Sequence, residues 1–256
     1  MPVRPPMRIV SLAPSATNIL CSLGAQNSLV AVTRWCKDVV PAEAIRGLPV
    51  FDDCWSADAR KVAELKPDLV IGSVPYRGEV VEKFLGSGLR FLAKSPHSLK
   101  DIYGDIALLA GITGKFQAGE ELILKMRDQI EEASRHASKA QKRPRIYCEV
   151  WPNPPRNCEH WAEEMVEAAG GEFVPRPAGR PVTSEEMIAA NPEIIVLAWA
   201  GTGNRARAET VAKRAGWDKI QAVREKRIHV MRDEWLNTPA PVLLKGLKAL
   251  TEIIRP

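Results

Sequence analysis

Residues 62–73 read VAELKPDLVIGS, and residues 187–198 read MIAANPEIIVLA. Each is a short helical stretch followed by Pro, an acid and an apolar strand. Val62 and Met187, Pro67 and Pro192, and Asp68 and Glu193 are all separated by the same interval. Proline ends the helix and biases the residue before it towards extended geometry, which feeds the next strand. The acid then lies at the strand's entrance, away from the C-terminal edge where open parallel sheets bind ligands. KPD and NPE therefore read as scaffold rather than site.

Working outward, the same grammar flanks both phrases. In the first half a strand is expected over 8–12, then a helix over 16–23 with Ser15 as N-cap and Gly24 as its stop. LVAV at 29–32 is a second strand, and 33–58 is irregular, with prolines and aromatics. A helix over 58–65, the strand 68–73, a helix over 78–87, the strand 89–93 and a helix over 98–110 ending at Gly111 follow. In the second half RIYCEVW at 145–151 leads through PNPPRN to a helix over 159–169 that ends at Gly170-Gly171. The helix 184–190, the strand 193–199, a helix over 205–215, the strand RIHVM and a last helix over 239–254 complete it. Such alternation implies parallel sheets with helices on both faces.

Between the halves Thr113 is a candidate cap, and no proline interrupts until Pro144. Leu122, Met126, Ile130, Ala133, Ala137 and Ala140 form one apolar stripe. About 28 helical residues would span roughly 40 Å, more than a crossover helix needs. The expected fold is α/β: two similar lobes with parallel sheets, joined by one long backbone helix, with a ligand cleft between the lobes. The boundaries read as 1–112 for the N-terminal lobe, 113–143 for the connecting helix and 144–256 for the C-terminal lobe.

Hydrophobic residues at 45% and charged residues at 26% fit a globular protein, and no apolar run is long enough to span a membrane. The net charge of +5 owes much to RHASKAQKRPR at 135–145, a solvated helix end. Without a basic stripe interleaved with aromatics, nucleic acid is not an expected partner. The five cysteines are odd in number and lack framework spacing, so reduced thiols are expected. The opening MPVRPPMRIVSLAPS shows neither a signal pattern nor a lipid-anchor cysteine. The chain as it stands is thus expected in the cytoplasm, or in the periplasm if a leader was removed.

Seven tryptophans are present, and two of them, Trp161 and Trp217, lie in or beside helices and read as packing. Trp151 and Trp199 stand near the C-terminal ends of strands, Trp235 just beyond RIHVM, and Trp35 and Trp55 in the irregular segment after LVAV. Tyr76 follows the strand 68–73. Large aromatics from each half thus gather at the sheet edges. That suits a large, flat, partly apolar ligand, each stacked ring contributing about 0.5–1.5 kcal/mol beyond burial. An amino acid or a bare phosphate would call for Arg, Lys and backbone N–H donors instead.

RIVSLAPSATNILCSLG, the paired Pro–acid–strand phrases, the long unbroken helix, PNPP followed by EEMVEAAGG, and the closing TPAPVLLKGLKALTEIIRP together carry a resemblance. The chain resembles, over its whole length, the helical-backbone (class III) substrate-binding proteins of ABC importers for cobalamin, iron–siderophores and haem. It is most similar to the cobalamin-binding branch of this periplasmic binding family. The resemblance implies no enzyme activity and a corrinoid ligand, cobalamin first, enclosed by aromatics; no cofactor serves as a catalyst. It places Pro14, Ser15 and Ala16 at the ligand's edge, Trp35 and Trp55 in the N-lobe wall, and Trp151, Trp199, Glu234 and Trp235 in the C-lobe wall. Tyr76 and His97 follow strands on the same edge. It also implies a monomer and a permease partner docked on one exposed acid per lobe. Glu185 matches on the C-lobe. On the N-lobe the position is Arg60, with Asp58 the nearest acid, a reversal that would repel permease arginines and leaves a cytosolic corrinoid carrier as the other role.

No nucleophile elbow, phosphate loop, HExxH or paired CxxC is present. GTGN at 201–204 lacks the remaining glycine and downstream acid of a dinucleotide fingerprint and reads as a turn. Cys158, Glu159 and His160, with Cys36 and Cys54, are soft metal-ligand types whose spacing matches no closed site, so no dedicated metal centre is expected. His97 or His160 could instead coordinate a corrinoid's cobalt. Two alternatives stay open: another metal chelate such as haem or an iron–siderophore, and an enzyme that uses the Cys/His cluster.

Overall fold

A computed structural model describes residues 7–74 and 77–254, and the chain divides into two compact units. The first comprises 1–96 with 100–124, and the second 97–99 with 125–256.

The first unit runs β1 (Ile9–Ser11), α1 (Pro14–Ser22), β2 (Leu29–Thr33), β3 (Val50–Phe51), α2 (Ala59–Glu64), β4 (Leu69–Ser73), α3 (Gly78–Gly86) and β5 (Phe91–Lys94). The helices α4 (Leu99–Thr113) and α5 (Phe116–Ala137) follow, and the division between units falls inside α5. All pairings in the first sheet are parallel, in the order β3-β2-β1-β4-β5. Val10, Leu12, Val62, Val70 and Phe84 fill its core, with Phe84 stacked on Phe91 at 5.4 Å.

The second unit runs β6 (Arg145–Pro152), β7 (Pro155–Asn157), α6 (His160–Ala168), β8 (Glu172–Phe173), α7 (Ser184–Ala190), β9 (Ile194–Leu197), α8 (Ala208–Ala212), α9 (Gln221–Arg224), β10 (Ile228–Val230), α10 (Glu234–Asn237) and α11 (Leu243–Ile254). β6 pairs in parallel with β8 and β9, and β10 extends β9. The order β8-β6-β9-β10 therefore reproduces β2-β1-β4-β5 of the first sheet. The second sheet differs by β7, which turns back antiparallel on the last residues of β6.

The repeated phrase has a repeated job. The Asp68 N–H donates to the Arg8 carbonyl at 2.8 Å, and the Arg8 N–H returns a bond to the Asp68 carboxylate at 2.7 Å. In the second unit the Glu193 N–H donates to the Arg145 carbonyl at 2.8 Å, and the Arg145 N–H donates to the Glu193 carboxylate at 3.1 Å. The arginine side chains complete the parallel: Arg8 Nε reaches the Lys66 carbonyl at 3.2 Å, and Arg145 Nε reaches the Asn191 carbonyl at 3.0 Å. Each pair clamps the entrance of a central strand to the entrance of its neighbour while satisfying a carbonyl at a helix end.

Several sequence expectations shift. Lys66 and Asn191, just before the prolines, are left-handed at φ 48° and 40° rather than extended. Each occupies the helix C-terminal position where the chain must reverse, and that requirement overrides the pre-proline bias. α1 begins at Pro14 with Ala13 as N-cap, so Ser15 lies inside the helix. Its other end follows expectation: Gly24 at φ 66° donates to the Cys21 carbonyl, and Ala25 to that of Leu20. Gly111 does not stop α4, which runs to Thr113; the left-handed break falls at Gly114. Thr113 is no cap, because its hydroxyl bonds back to the Leu109 carbonyl at 2.7 Å. The connecting helix is accordingly shorter than its uninterrupted pattern suggested, 22 residues from Phe116 to Ala137.

The two clamps predict a graded loss. Glu193 is 4% exposed and also pairs with Lys142, whereas Asp68 is exposed. Glu193→Ala should cost about 2–3 kcal/mol and Asp68→Ala about 1 kcal/mol. Urea unfolding checks this, and equal losses would show that burial does not set the clamp's strength.

Candidate functional site

Because the first sheet is all parallel, its strands end at one edge, and Pro14, Trp35 and Trp55 follow β1, β2 and β3 there, whereas His97, next after β5 in the chain, belongs to the second unit. Tyr76 follows β4 but lies outside the described residues. Pro14 opens α1 half-buried, whereas Ser15 and Ala16 are 3% and 0% exposed. The Ser15 hydroxyl faces inward and accepts from Lys94 Nζ at 3.4 Å, and that ammonium pairs with Asp105 at 3.0 Å. Burial presses both members towards neutrality, lowering the Lys94 pKa and raising that of Asp105. The Ser15 and Ala16 side chains are thus part of the scaffold, and only the backbone start of α1 is left to face a ligand.

Trp35 is half-buried, with the Arg34 guanidinium over its ring at 4.7 Å and Arg34 also 3.7 Å from Asp52. Trp55 is 38% exposed. Asp53, which sequence reasoning passed over, holds its loop. Its carboxylate accepts from the Trp55 N–H at 3.1 Å, the Ser56 N–H at 2.8 Å and the Ser56 hydroxyl at 2.7 Å. The signal was visible as Asp two residues before Trp, the pattern of an Asx turn.

In the second sheet β6, β9 and β10 run in the same direction, so Trp151, Trp199 and Trp235 belong to one edge. Their fates differ. Trp151 is 49% exposed on the β6–β7 hairpin, its indole N–H bound to the Asn153 carbonyl at 3.1 Å. Trp235 is half-buried. Trp199 is 8% exposed and packs in the core, a correction to its expected place in the ligand wall.

The cause is Glu149, fully buried in β6. Its carboxylate accepts from Trp199 Nε1 at 2.8 Å, from the Tyr147 hydroxyl at 2.9 Å, and from Arg214 at 2.6 and 2.9 Å. Arg214 also stacks on Trp217 at 4.6 Å and donates to the Pro152 carbonyl at 3.0 Å. Burial, then the Glu149 charge, pushes the Tyr147 phenol well above its ordinary pKa, which keeps it a donor. Trp161 and Trp217 pack as expected, with indole N–H bonds to the Leu236 carbonyl and the Ser184 hydroxyl. Glu234 is also corrected: it is 5% exposed and bound to Arg232, so it offers no free carboxylate to a ligand.

GTGN is a turn whose amides already hold an acid. Gly201 and Gly203 donate to Asp233 at 2.9 and 2.6 Å, both glycines left-handed. A side-chain carboxylate thus fills the concavity that a phosphate would need. The soft-ligand residue types have other partners. Cys158 is fully buried, His160 bonds Glu163 at 2.9 Å, and Cys36 sits between Thr17 and Thr33 at 3.1 and 3.3 Å. Among the described residues no group of three His, Cys, Asp or Glu could hold a metal ion. A depression of about 900 Å³ lies at the opposite, N-terminal edge of the second sheet, bordered by Lys142, Glu193, Arg227 and His229. Its lining mixes charged side chains with Pro144, Ala249, Ile253 and Ile254, and one of its two acids, Glu193, is spent on the clamp. The indole-bearing edges are the better candidate for a large apolar ligand.

Residues 9–234 match the model of the periplasmic binding protein family. The chain belongs to that family. It is 27% identical to the uncharacterized ABC transporter substrate-binding lipoprotein YvrC of Bacillus subtilis, over 98% of this chain and 81% of the relative. It is 24% identical to the vitamin B12-binding protein of Vibrio cholerae, over 98% and 90%. The solved structure of the periplasmic heme-binding protein RhuT from Roseiflexus sp. RS-1 shares the fold, with a TM-score of 0.82 at 23% identity over 98% and 100% of the two chains. This periplasmic binding protein is thus α/β, with two lobes built on parallel sheets, and its family role is substrate binding. Among the described residues no helix is long and apolar enough to cross a membrane.

The Glu149 network and Trp151 predict opposite outcomes in a unfolding experiment. Glu149→Ala strands Arg214 and two buried donors and should cost about 3–5 kcal/mol. Trp151→Ala should stay within about 0.5 kcal/mol, as an exposed position does. A large loss for Trp151→Ala would make that ring structural.

Proposed function

We propose that this periplasmic binding protein binds a corrinoid, cobalamin first, as a substrate-binding component of cobalamin uptake or handling. The observation that carries this is the set of accessible indoles at the sheet edges: Trp35 and Trp55 on one, Trp151 and Trp235 on the other. The Trp151 ring, held at the Asn153 carbonyl, and the Trp55 backbone, held by its Asx turn, lose little freedom on binding, which favours a rigid macrocycle. Similarity to a vitamin B12-binding protein supports the same choice. The family and its lipoprotein relative favour the periplasm over the cytoplasm.

A haem or iron–siderophore is the second reading. The exposed Arg34 stacked on Trp35, with Lys37 exposed nearby in sequence, would suit acidic groups on such a chelate. A third reading, catalysis by Cys158, has little support. Its thiol is hydrogen-bonded to Cys148 and fully buried, which holds it protonated well above its ordinary pKa.

For the partner, Glu185 stands exposed in the first turn of α7, its carboxyl held below the usual pKa by its own amide and the Thr183 hydroxyl. A permanently anionic group there suits permease arginines. Arg60 occupies the corresponding place on α2, and Asp58 is engaged as its N-cap.

Cobalamin, haem and a ferric siderophore titrated against Trp fluorescence distinguish the ligands. Cobalamin is expected to quench at micromolar concentration, and Trp151→Ala to weaken it at least about tenfold, roughly 1.4 kcal/mol. Quenching by haem alone would replace the corrinoid reading with the second. Glu185→Arg should leave this affinity unchanged yet abolish transport by the partner permease reconstituted in vesicles. Unimpaired transport would remove Glu185 from docking.

A further inference from the structure

Cys148 and Cys158 serve nothing in the proposed binding role, yet the fold sets them face to face. The antiparallel register of β6 and β7 pairs Glu149 with Asn157, so one step further from the hairpin tip Cys148 opposes Cys158. The Cys158 N–H donates to the Cys148 carbonyl at 3.0 Å, and both thiols are free in this structure. Both residues are fully buried. Opposed residues of an antiparallel pair point to the same face, with Cα atoms about 5.5 Å apart when hydrogen-bonded. Disulfides bridge Cα separations of roughly 4.4–6.8 Å, most often near 5.5–6 Å.

We propose that Cys148 and Cys158 form a disulfide that locks the base of this hairpin when the chain folds in the presence of a disulfide oxidant. With oxidised glutathione, one cysteine thiolate attacks a glutathione sulfur, giving a mixed disulfide and one glutathione thiolate. The second cysteine thiolate then displaces the other glutathione. The protein loses two protons and two electrons; the two glutathione thiolates take up the protons. Oxidation belongs to folding because, once the hairpin has closed, burial shields both sulfurs. Of the other cysteines, Cys36 is engaged by the Thr17 and Thr33 hydroxyls rather than by a second thiol. The locked hairpin is the one that presents Trp151, three residues beyond Cys148.

The test is to refold the full chain in reduced and oxidised glutathione, alkylate, and map the unreduced tryptic peptides. Cleavage after Arg145 and Arg156 places the two cysteines in separate peptides, beginning at Ile146 and Asn157. These two are expected to travel as one linked species, leaving three of the five cysteines alkylated. The oxidised chain should also melt several degrees above the reduced one. Five alkylated cysteines in the folded chain, or linkage through Cys21, Cys36 or Cys54, would overturn the proposal. Cys148→Ser should abolish the linkage without creating another. If that variant does not fold, the map of the unaltered chain decides alone.

Discussion

Everything in each unit hangs on where its central strand begins. The clamp of an arginine at the strand's start and an acid after the neighbouring helix's proline fixes both ends of one step: Arg8 with Asp68, and Arg145 with Glu193. Two backbone groups and one carboxylate are satisfied together, and the arginine side chain closes the helix that precedes the proline. A slip of one residue would send every side chain of the neighbouring strand to the opposite face of the sheet. In the second unit burial works to raise the Glu193 carboxyl, but Lys142 and the Arg145 amide and charge hold it below its ordinary value. With the entrances aligned, the strand exits align as well, and that puts residues distant in sequence on a common edge.

What stands at that edge is then decided by polar bookkeeping rather than by strand position. Trp151 and Trp199 follow neighbouring parallel strands at nearly the same height, yet one is exposed and the other buried. The difference is a single carboxylate: Glu149 draws the Trp199 indole N–H inward, while Trp151 finds its acceptor in its own hairpin. A buried charge of this kind is tolerated only because Arg214 neutralises it bidentately and two further donors fill its remaining lone pairs. The network therefore constrains the rings that the hairpin and the loops leave free.

This explains what the sequence could and could not disclose. Helical and strand periods, the paired phrases and the stop at Gly24 were legible because they follow from local backbone physics; α7 ran over the expected 184–190. The short β3, β7, β8 and α10 were not, since two to four residues carry no period and form only through neighbours. Trp35, Trp151 and Trp235 could be placed after strands by counting, whereas Trp55 could not, since the β3 it follows carries no period. The inward turn of Trp199 and Glu234 could not, because Glu149 and Arg232 act on them through space or across a turn. The left-handed Lys66 marks a conflict between two local rules that only the built chain resolves.

The duplicated halves also show which positions physics holds fixed. Asp58 and Thr183 are both helix N-caps, Lys66 and Asn191 both left-handed, and Asp68 and Glu193 both clamps, all at one interval. Between these fixed points the exposed Arg60 and Glu185 occupy matching places with opposite charge. Each helix already has its N-cap, Asp58 accepting from the Arg60 amide and Thr183 from the Glu186 amide. Divergence confined to such positions belongs to what the surface meets rather than to how the chain folds. The two lobes keep one scaffold and carry opposite charge at this matching position.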